Sequence, residues 1–371
     1  MKILHLFNEI NFSGAEIMYA QAASIFQKED CELIAYSTGP NLGDFAPIFA
    51  LNNIKTYHKP VTFKELSPKG IHYYLNFYRF LKKEKIDVLH IHRSDLIIAA
   101  VVAKLAHVRC IKTQHSTFRN RWFTLPYAIV WRFILRNFFN VTFHTIGESV
   151  YFNELNYYKN PSIKINNWFD EKKFYPAQDA QEKINLRKQL AIPKDAFVII
   201  STGSCSAIKN HHDIIRALVL VKEKIDVIYL HLGQGAMEQD EKQLAMDLGV
   251  SAMIRFLGNQ ATVRDFLIVA DLYVMTSKIE GLGNAALEAM ACKLPCILYD
   301  VAGLRDLIKN DNNGFLITPD YSMLADKIID VQIDPSTALE KAKHALIFAN
   351  QYFTMSVSVQ KIIELYSSKI T

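Results

Sequence analysis

Residues 273–299, YVMTSKIEGLGNAALEAMACKLPCILY, constrain the fold more than any other stretch of the chain. An apolar strand ending at Met275 opens into a turn carrying Glu280, Gly281 and Gly283, and an alanine-rich helix with Glu288, then Pro295 and a second strand, follow. Units in this order make nucleotide pockets. The glycines leave the first amides of the helix bare, and those N–H groups, at the positive end of the helix dipole, suit a phosphate or a sugar hydroxyl. Ser277 and Glu280 have the spacing of a capping box, but Gly281 and Gly283 would each cost roughly 1 kcal/mol in a helix interior, which argues against one. Glu288 has no basic residue three or four positions away, where Asn284, Ala285, Ala291 and Cys292 stand, so a helix-surface ion pair does not account for it. Eight residues at about 1.5 Å each separate the two carboxylates by roughly 12 Å, about the span from the sugar to the ribose of a nucleotide diphosphate sugar.

At 371 residues the length favours two domains, and with half the residues hydrophobic the chain can fill two cores. The five cysteines (Cys31, Cys110, Cys205, Cys292, Cys296) are odd in number, scattered, and without zinc or redox spacing, so a reducing cytosol is the simpler home. Met1 leads straight into a strand rather than a leader, and no apolar run approaches the roughly 20 residues that span a bilayer, so a cytoplasmic or peripheral protein is expected. The net charge of +5 is uneven: residues 1–175 hold 22 Lys and Arg against 14 Asp and Glu, a net of +8, leaving −3 for the rest. That asymmetry suggests an anionic partner for the first half. Nucleic acid is not expected, because no zinc-finger, homeodomain or RNP-like signature accompanies the charge.

Strands and helices alternate along both halves. The first strand, KILHLF, runs into NEINFSGAE, where Gly14 would let the backbone approach a ligand at the head of a helix. Further strands are expected at residues 31–36, 54–58, 86–92, 109–114 and 141–146, and a helix at 71–84. His90 and His92 fall at the end of one of these strands; with no third ligand at a plausible spacing they read as packing or polar lining rather than a metal site. His115 follows the next strand beside hydroxyl residues, where a neutral imidazole could bind a sugar hydroxyl or shuttle a proton. Pro176 and the polar run after it suggest a hinge, giving domains at 1–175 and 176–350 and a final helical segment at 351–371. In the second half, strands at 197–202, 226–232, 254–257, 272–275 and 296–299 alternate with helices, as a second doubly wound sheet requires. Lys209, in GSCSAIKNHHDIIRAL at the mouth of a helix, could place its ammonium on a diphosphate.

Taken together, Glu280 and Glu288 within EGLGNAALEAMACKLP resemble the glutamate pair of the retaining glycosyltransferases of family 4, which have the GT-B fold. The Gly, Asn, Leu-Glu-Ala-Met-Ala and Pro positions all agree with it. The resemblance implies an α/β protein of two Rossmann-like, doubly wound domains facing each other across a cleft. It implies that Glu280 meets the donor sugar, Glu288 the ribose, and the loop at Gly14 the diphosphate; that His115 lies near the sugar; and that residues 164–176 cross between domains while the last helix crosses back. Gly281, Leu282, Gly283 and Asn284 would line the donor. The family's Arg after Gly203 is Ser204 here, and Ser13 stands where a second Gly is common.

The expected function is thus sugar transfer from a UDP- or GDP-linked donor to a glycan or lipid-linked acceptor in surface polysaccharide or glycoconjugate synthesis, with Glu280, His115 and Lys209 as catalytic residues. Gly14, Ser204, Gly281–Asn284 and Glu288 would bind the donor. No cofactor is expected, and no metal, since no Asp-x-Asp pair sits at a strand end and Lys209, amides and helix dipoles meet the phosphate charge. A non-catalytic sugar-nucleotide-binding subunit, or a GT-B epimerase acting on the nucleotide sugar, are the alternatives.

Residues 96–147 contain no Asp or Glu but include Arg119, Arg121, Arg132 and Arg136 among Phe118, Trp122, Phe123, Trp131 and Phe133. Such a mixture suits either a core helix with a basic outer face or a helix lying on an anionic membrane.

Overall fold

The computed structural model describes residues 1–63, 67–93 and 97–368. Contacts divide the chain into two units, Met1–Asn167 with Met355–Thr371, and Trp168–Thr354. Among the described residues each unit is built on one parallel sheet.

In the first unit the strands are β1 (Lys2–Phe7), β2 (Glu32–Ser37), β3 (Lys55–His58), β4 (Val88–Ile91), β5 (Arg109–Gln114), β6 (Val141–Thr145) and β7 (Ile163–Lys164), in the order β3-β2-β1-β4-β5-β6-β7. In the second they are β8 (Phe197–Thr202), β9 (Val227–Leu232), β10 (Ile254–Gly258), β11 (Leu272–Met275), β12 (Cys296–Tyr299) and β13 (Phe315–Ile317), in the order β10-β9-β8-β11-β12-β13. The central strands are short apolar runs buried on both faces, as parallel strands covered by crossover helices must be. In each sheet the order reverses once, between β1 and β4 and between β8 and β11, so the helices leaving those strands diverge onto opposite faces and open a crevice at the strands' carboxyl ends. These are the two doubly wound, Rossmann-like units that the sequence suggests.

The last helix, Met355–Ser367, belongs to the first unit, where it packs on the helix Gly14–Lys28 and brings the Tyr366 hydroxyl within 2.6 Å of His90 Nδ1. That contact starts a chain whose proton positions follow from one carbonyl. His144 Nε2 lies 3.0 Å from the Ile165 carbonyl and so must donate to it. The Nδ1 of a neutral His144 then accepts from Thr113 Oγ1 (2.8 Å), whose oxygen accepts from His90 Nε2 (2.5 Å), leaving His90 Nδ1 to accept from Tyr366. Burial lowers His144 to about 4 and His90 well below the ordinary imidazole range, so the neutral rings this chain requires are the stable ones.

The helix Leu125–Phe138 corrects one expectation. Arg132 and Arg136 do not share its outer face with the aromatics. Arg132 turns inward and grips both oxygens of buried Glu154 at 2.9 and 3.1 Å, its guanidinium 3.6 Å over the Tyr158 ring, and Arg136 donates to Asn160 Oδ1 at 3.4 Å. Glu154 lies in a π-helical turn, Asn153–Tyr157, which ends the helix that starts at Glu148. A buried carboxylate with no cation would cost several kcal/mol, which explains why the guanidinium is drawn in. Trp122, Phe123, Tyr127, Val130, Phe133 and Phe138 are left exposed, Trp122 at 83 %. Leu96, at the head of the acid-free stretch, lies outside the described residues.

Candidate functional site

The carboxyl ends of β8, β11 and β12 converge in the second unit, and their loops are tied to one another. After β8 the chain turns at Gly203, whose amide continues the ladder to the Leu232 carbonyl (2.9 Å). The loop after β9 passes so close that a Cβ on Gly233 would fall 1.8 Å from the Gly203 oxygen, so only glycine serves there. Asn210, in the left-handed region at φ 55°, precedes the helix His211–Val221 without a side-chain capping bond. The loop after β11 is bound to this one by Thr276 Oγ1 donating to the Asn210 carbonyl (2.9 Å) and by the Lys278 amide donating to the Ile208 carbonyl (2.8 Å). Across that seam Lys209 Nζ lies 2.6 Å from Glu280 Oε1, both side chains mostly buried at 22 % and 14 % exposed. The loop after β12 closes the third side, the Ala302 carbonyl accepting from the Glu280 amide at 3.1 Å.

Glu280 is not helical. The helix is Asn284–Ala291, and Gly283 precedes it in a left-handed conformation (φ 84°) with no side-chain cap. A Cβ at Gly283 would also meet Leu304 Cδ2 at 2.6 Å. The 1.5 Å rise used above for the span from Glu280 to Glu288 therefore holds only from Asn284 onward, because Glu280 to Gly283 form a loop. Ser277, seven residues ahead of the helix, is no capping residue; its hydroxyl is buried with no hydrogen-bond partner. Leu282 is buried and anchors the loop, while Gly281 is half-exposed and Ser204 exposed.

Glu288 stands four residues into the helix. Burial pushes its carboxyl up to about 8; Asp170 adds to that shift, and Lys173 and Lys209 oppose it. At neutral pH it therefore holds a proton for much of the time. It can both donate to and accept from vicinal hydroxyls, which a carboxylate cannot.

The first unit holds the other two expected residues. Gly14 is the exposed first residue of its helix, with ordinary backbone angles. His115 follows β5, and burial draws it down to about 4, so it is neutral. Its Nε2 lies 3.1 Å from His92 Nδ1, and His92 Nε2 lies 2.9 Å from His5 Nδ1. His5 is the neighbour of His90 and His92 that their spacing on one strand could not show, because it comes from β1.

A second cluster, Cys205, His211, His231 and Glu241, also escaped the sequence. Its members come from the loop after β8, the head of the next helix, β9 and the helix Glu238–Asp247, at no regular interval. A hollow of about 830 Å³ in the second unit, beside Phe197, Asp271 and Pro295, lies at the amino ends of the strands. Ligands of doubly wound sheets bind at the opposite ends, so it is not the candidate site.

Comparison with known proteins supports this assignment of the fold. Residues 182–347 match the family model for glycosyl transferases group 1, and residues 12–151 match that for glycosyltransferase family 4. EpsD of Bacillus subtilis is 31 % identical over 198 residues, covering 53 % of this chain and 51 % of that one, so the chain spans about half the length of this relative. The UDP-Gal:alpha-D-GlcNAc-diphosphoundecaprenol alpha-1,3-galactosyltransferase of Escherichia coli is 28 % identical over 337 residues, 85 % of this chain and 84 % of that one. Among solved structures, Anabaena HepE in complex with UDP superposes with a TM-score of 0.85 over the whole of both chains at 22 % identity. A Rickettsia africae glycosyltransferase does so at 0.84 over 98 % of this chain and 97 % of that one, at 18 % identity.

The raised Glu288 pKa has a consequence for stability. The folded carboxyl titrates near 8 and its ordinary value is 4.5, so the folded state binds the proton more tightly. The contribution is fully present at low pH and is lost as pH rises through the folded value. Urea midpoints measured from about pH 5 to about pH 9 should fall more for the wild type than for Glu288→Gln. Parallel pH profiles would contradict the assignment.

Proposed function

The chain belongs to the family 4, group 1 glycosyltransferases, and from that premise we propose that it moves a sugar from a nucleoside diphosphate donor to a lipid-linked glycan acceptor. The observation that carries this reading is the Lys209–Glu280 pair at the carboxyl ends of β8 and β11. Without a ligand the two charges neutralise one another. When a donor enters, its diphosphate competes for Lys209, and the freed carboxylate accepts hydrogen bonds from the sugar hydroxyls. As the glycosidic bond to phosphate breaks, negative charge gathers on the leaving nucleotide, and a preorganised ammonium stabilises it there more than in the ground state. The backbone of Gly281, Leu282 and Gly283 shapes the approach to the helix, whose amino end at Asn284 presents its dipole to the phosphates. Glu288 holds the ribose hydroxyls. Ser204 supplies no cation, so the demand on Lys209 is the greater.

In the first unit taken by itself, the exposed amide of Gly14 suits an anionic group, and neutral His115 suits a hydroxyl. The new bond forms with retention of configuration, as the resemblance of the glutamate pair implies. Added Mg²⁺ has no part in leaving-group departure, since Lys209 and backbone amides supply the positive charge. Uridine diphosphate sugars are the first donors to try, because the Escherichia coli relative is named for UDP-galactose and a diphosphoundecaprenol-linked acceptor, and HepE was solved with UDP. GDP sugars come next.

The exposed aromatics of the first unit favour a place for the reaction. No helix among the described residues is long and apolar enough to cross a membrane. Trp122, Phe123, Tyr127 and Phe133 are nevertheless exposed within twelve residues of one another in the chain, with exposed Arg121 adjoining them, which suits shallow insertion among anionic headgroups at the cytoplasmic face, where a lipid-linked acceptor resides. Because Arg132 and Arg136 are engaged internally, aromatic insertion contributes more than charge.

Three measurements test these readings. Lys209→Ala should lower turnover on the order of 10²-fold, Glu280→Ala should also act mainly on turnover, and Glu288→Ala should mainly weaken nucleotide binding. Unchanged nucleotide affinity in Glu288→Ala, or full turnover in Lys209→Ala, would sink the assignment. In vesicle sedimentation the wild type should pellet with anionic lipid, and Trp122→Ser/Phe123→Ser should remain in the supernatant. Equal pelleting of that variant, or none by the wild type, would make these aromatics irrelevant to membranes.

A further inference from the structure

We propose that the second unit binds one divalent transition-metal ion, of the Zn²⁺ class, through Cys205 Sγ, His211 Nδ1, His231 Nε2 and the Glu241 carboxylate, as a structural centre distinct from the donor site. The four ligand atoms lie within 4.8 Å of one another and all four side chains are buried, at 0 %, 3 %, 0 % and 1 % exposed. His211 Nδ1 is 3.1 Å from Glu241 Oε1, His231 Nε2 is 3.0 Å from Glu241 Oε2, and the two ring nitrogens are 3.0 Å apart. Tetrahedral bonds of about 2.0–2.3 Å to such atoms put the ligands about 3.3–3.7 Å from each other, so the three short pairs need to open by a few tenths of an ångström, and pairs separated by as much as 4.8 Å need to close by about 1 Å.

Hydrogen bonding alone serves this arrangement poorly. Each ring nitrogen carries either one hydrogen or one lone pair, yet each faces both its partner ring and a carboxylate oxygen. If His231 donates to His211, then His211 Nδ1 turns a lone pair toward Glu241, and Glu241 Oε2 is left buried with no hydrogen-bond partner, a costly condition for a carboxylate oxygen. If both rings donate to Glu241 instead, their nitrogens face one another 3.0 Å apart with no bond between them. In either case His231 Nδ1 is buried without a partner. Among the described residues no Lys or Arg pairs with Glu241; its neighbour Lys242 pairs with Glu238 instead. A dication bound by one thiolate, one carboxylate and two neutral imidazoles leaves the buried site with no net charge. It also uses the lone pairs that otherwise oppose one another. A mixed S, N, N, O set with four protein ligands and no open position is that of a structural centre rather than a catalytic one.

The centre would act through the loop after β8. Cys205 and His211 bracket residues 206–210, and the loop is already tied to the one after β9 by the Cys205 amide donating to Gln234 O (3.1 Å) and the Met237 amide donating to Cys205 O (3.0 Å). Lys209 stands two residues before a ligand. Metal binding therefore fixes the segment that carries the ammonium, a consequence that rests on the proposed transfer reaction, whereas the binding itself does not.

Metal content tests the binding directly. Untagged full-length protein, dialysed free of loose ions, should hold one equivalent of zinc by plasma mass spectrometry. Protein stripped by unfolding in chelator and refolded with Co²⁺ should show intense d–d bands of tetrahedral cobalt and a sulfur-to-cobalt charge-transfer band. Cys205→Ser should abolish the charge-transfer band, and His231→Gln should lower metal content at least about tenfold, removal of a ligand costing more than the 10–100-fold of an outer partner. Circular dichroism identifies a variant that has not folded; in that event the wild-type stoichiometry and cobalt spectrum decide. A wild type without stoichiometric zinc and without the cobalt spectrum would overturn the proposal in favour of a hydrogen-bonded His-Glu-His cluster, as would full metal content in folded Cys205→Ser and His231→Gln. Transfer activity does not enter these readings, so failure of the proposed reaction leaves them unaffected.

Discussion

The ion pair between Lys209 and Glu280 depends on the reversal of strand order between β8 and β11. Where the order reverses, the loops leaving neighbouring strands part to opposite faces, and backbone amides and side chains between them lack secondary-structure partners. Here they are satisfied by one another: Thr276 and Lys278 bind the carbonyls of the loop after β8, and Glu280 binds the loop after β12. Two opposite charges held at 2.6 Å on a seam fixed by backbone bonds are preorganised in a way that two flexible surface side chains are not.

That seam explains the glycines. Gly233 is required because the loop after β9 crosses within contact of Gly203, and Gly283 because a loop must turn left-handed against Leu304 before the helix begins. The same geometry leaves Glu288 in a region desolvated enough to favour its protonated form, although Lys173 and Lys209 pull the other way. The two glutamates of one motif thus have different electrostatic settings, one paired with a cation and one held largely neutral.

Much of this was legible in the sequence. Apolar runs disclosed the alternating strands, and the EGLGNAALE stretch disclosed the loop and helix that carry both glutamates. What stayed hidden depended on partners remote in the chain. The inward turn of Arg132 is decided by Glu154, 22 residues on and in a π-helical turn that no periodicity signals. His5 joins His90 and His92 only because β1 lies beside β4. Cys205, His211, His231 and Glu241 meet because four separate elements converge, so a search for close zinc spacing passes over them. The span between Glu280 and Glu288 was misjudged locally, by extending a helix through residues that glycine holds in a loop.

Amide hydrogen exchange with and without a nucleoside diphosphate tests the central claim, that the convergence of β8, β11 and β12 is where the donor binds. Saturating uridine diphosphate, or guanosine diphosphate if the uridine nucleotide does not bind, should slow exchange in peptides covering residues 203–210 and 280–288. Peptides at the amino ends of the same strands, around Phe197, Asp271 and Pro295, should be unaffected. Protection confined to those amino ends, or no protection of 203–210 and 280–288 by a nucleotide that demonstrably binds, would contradict the account.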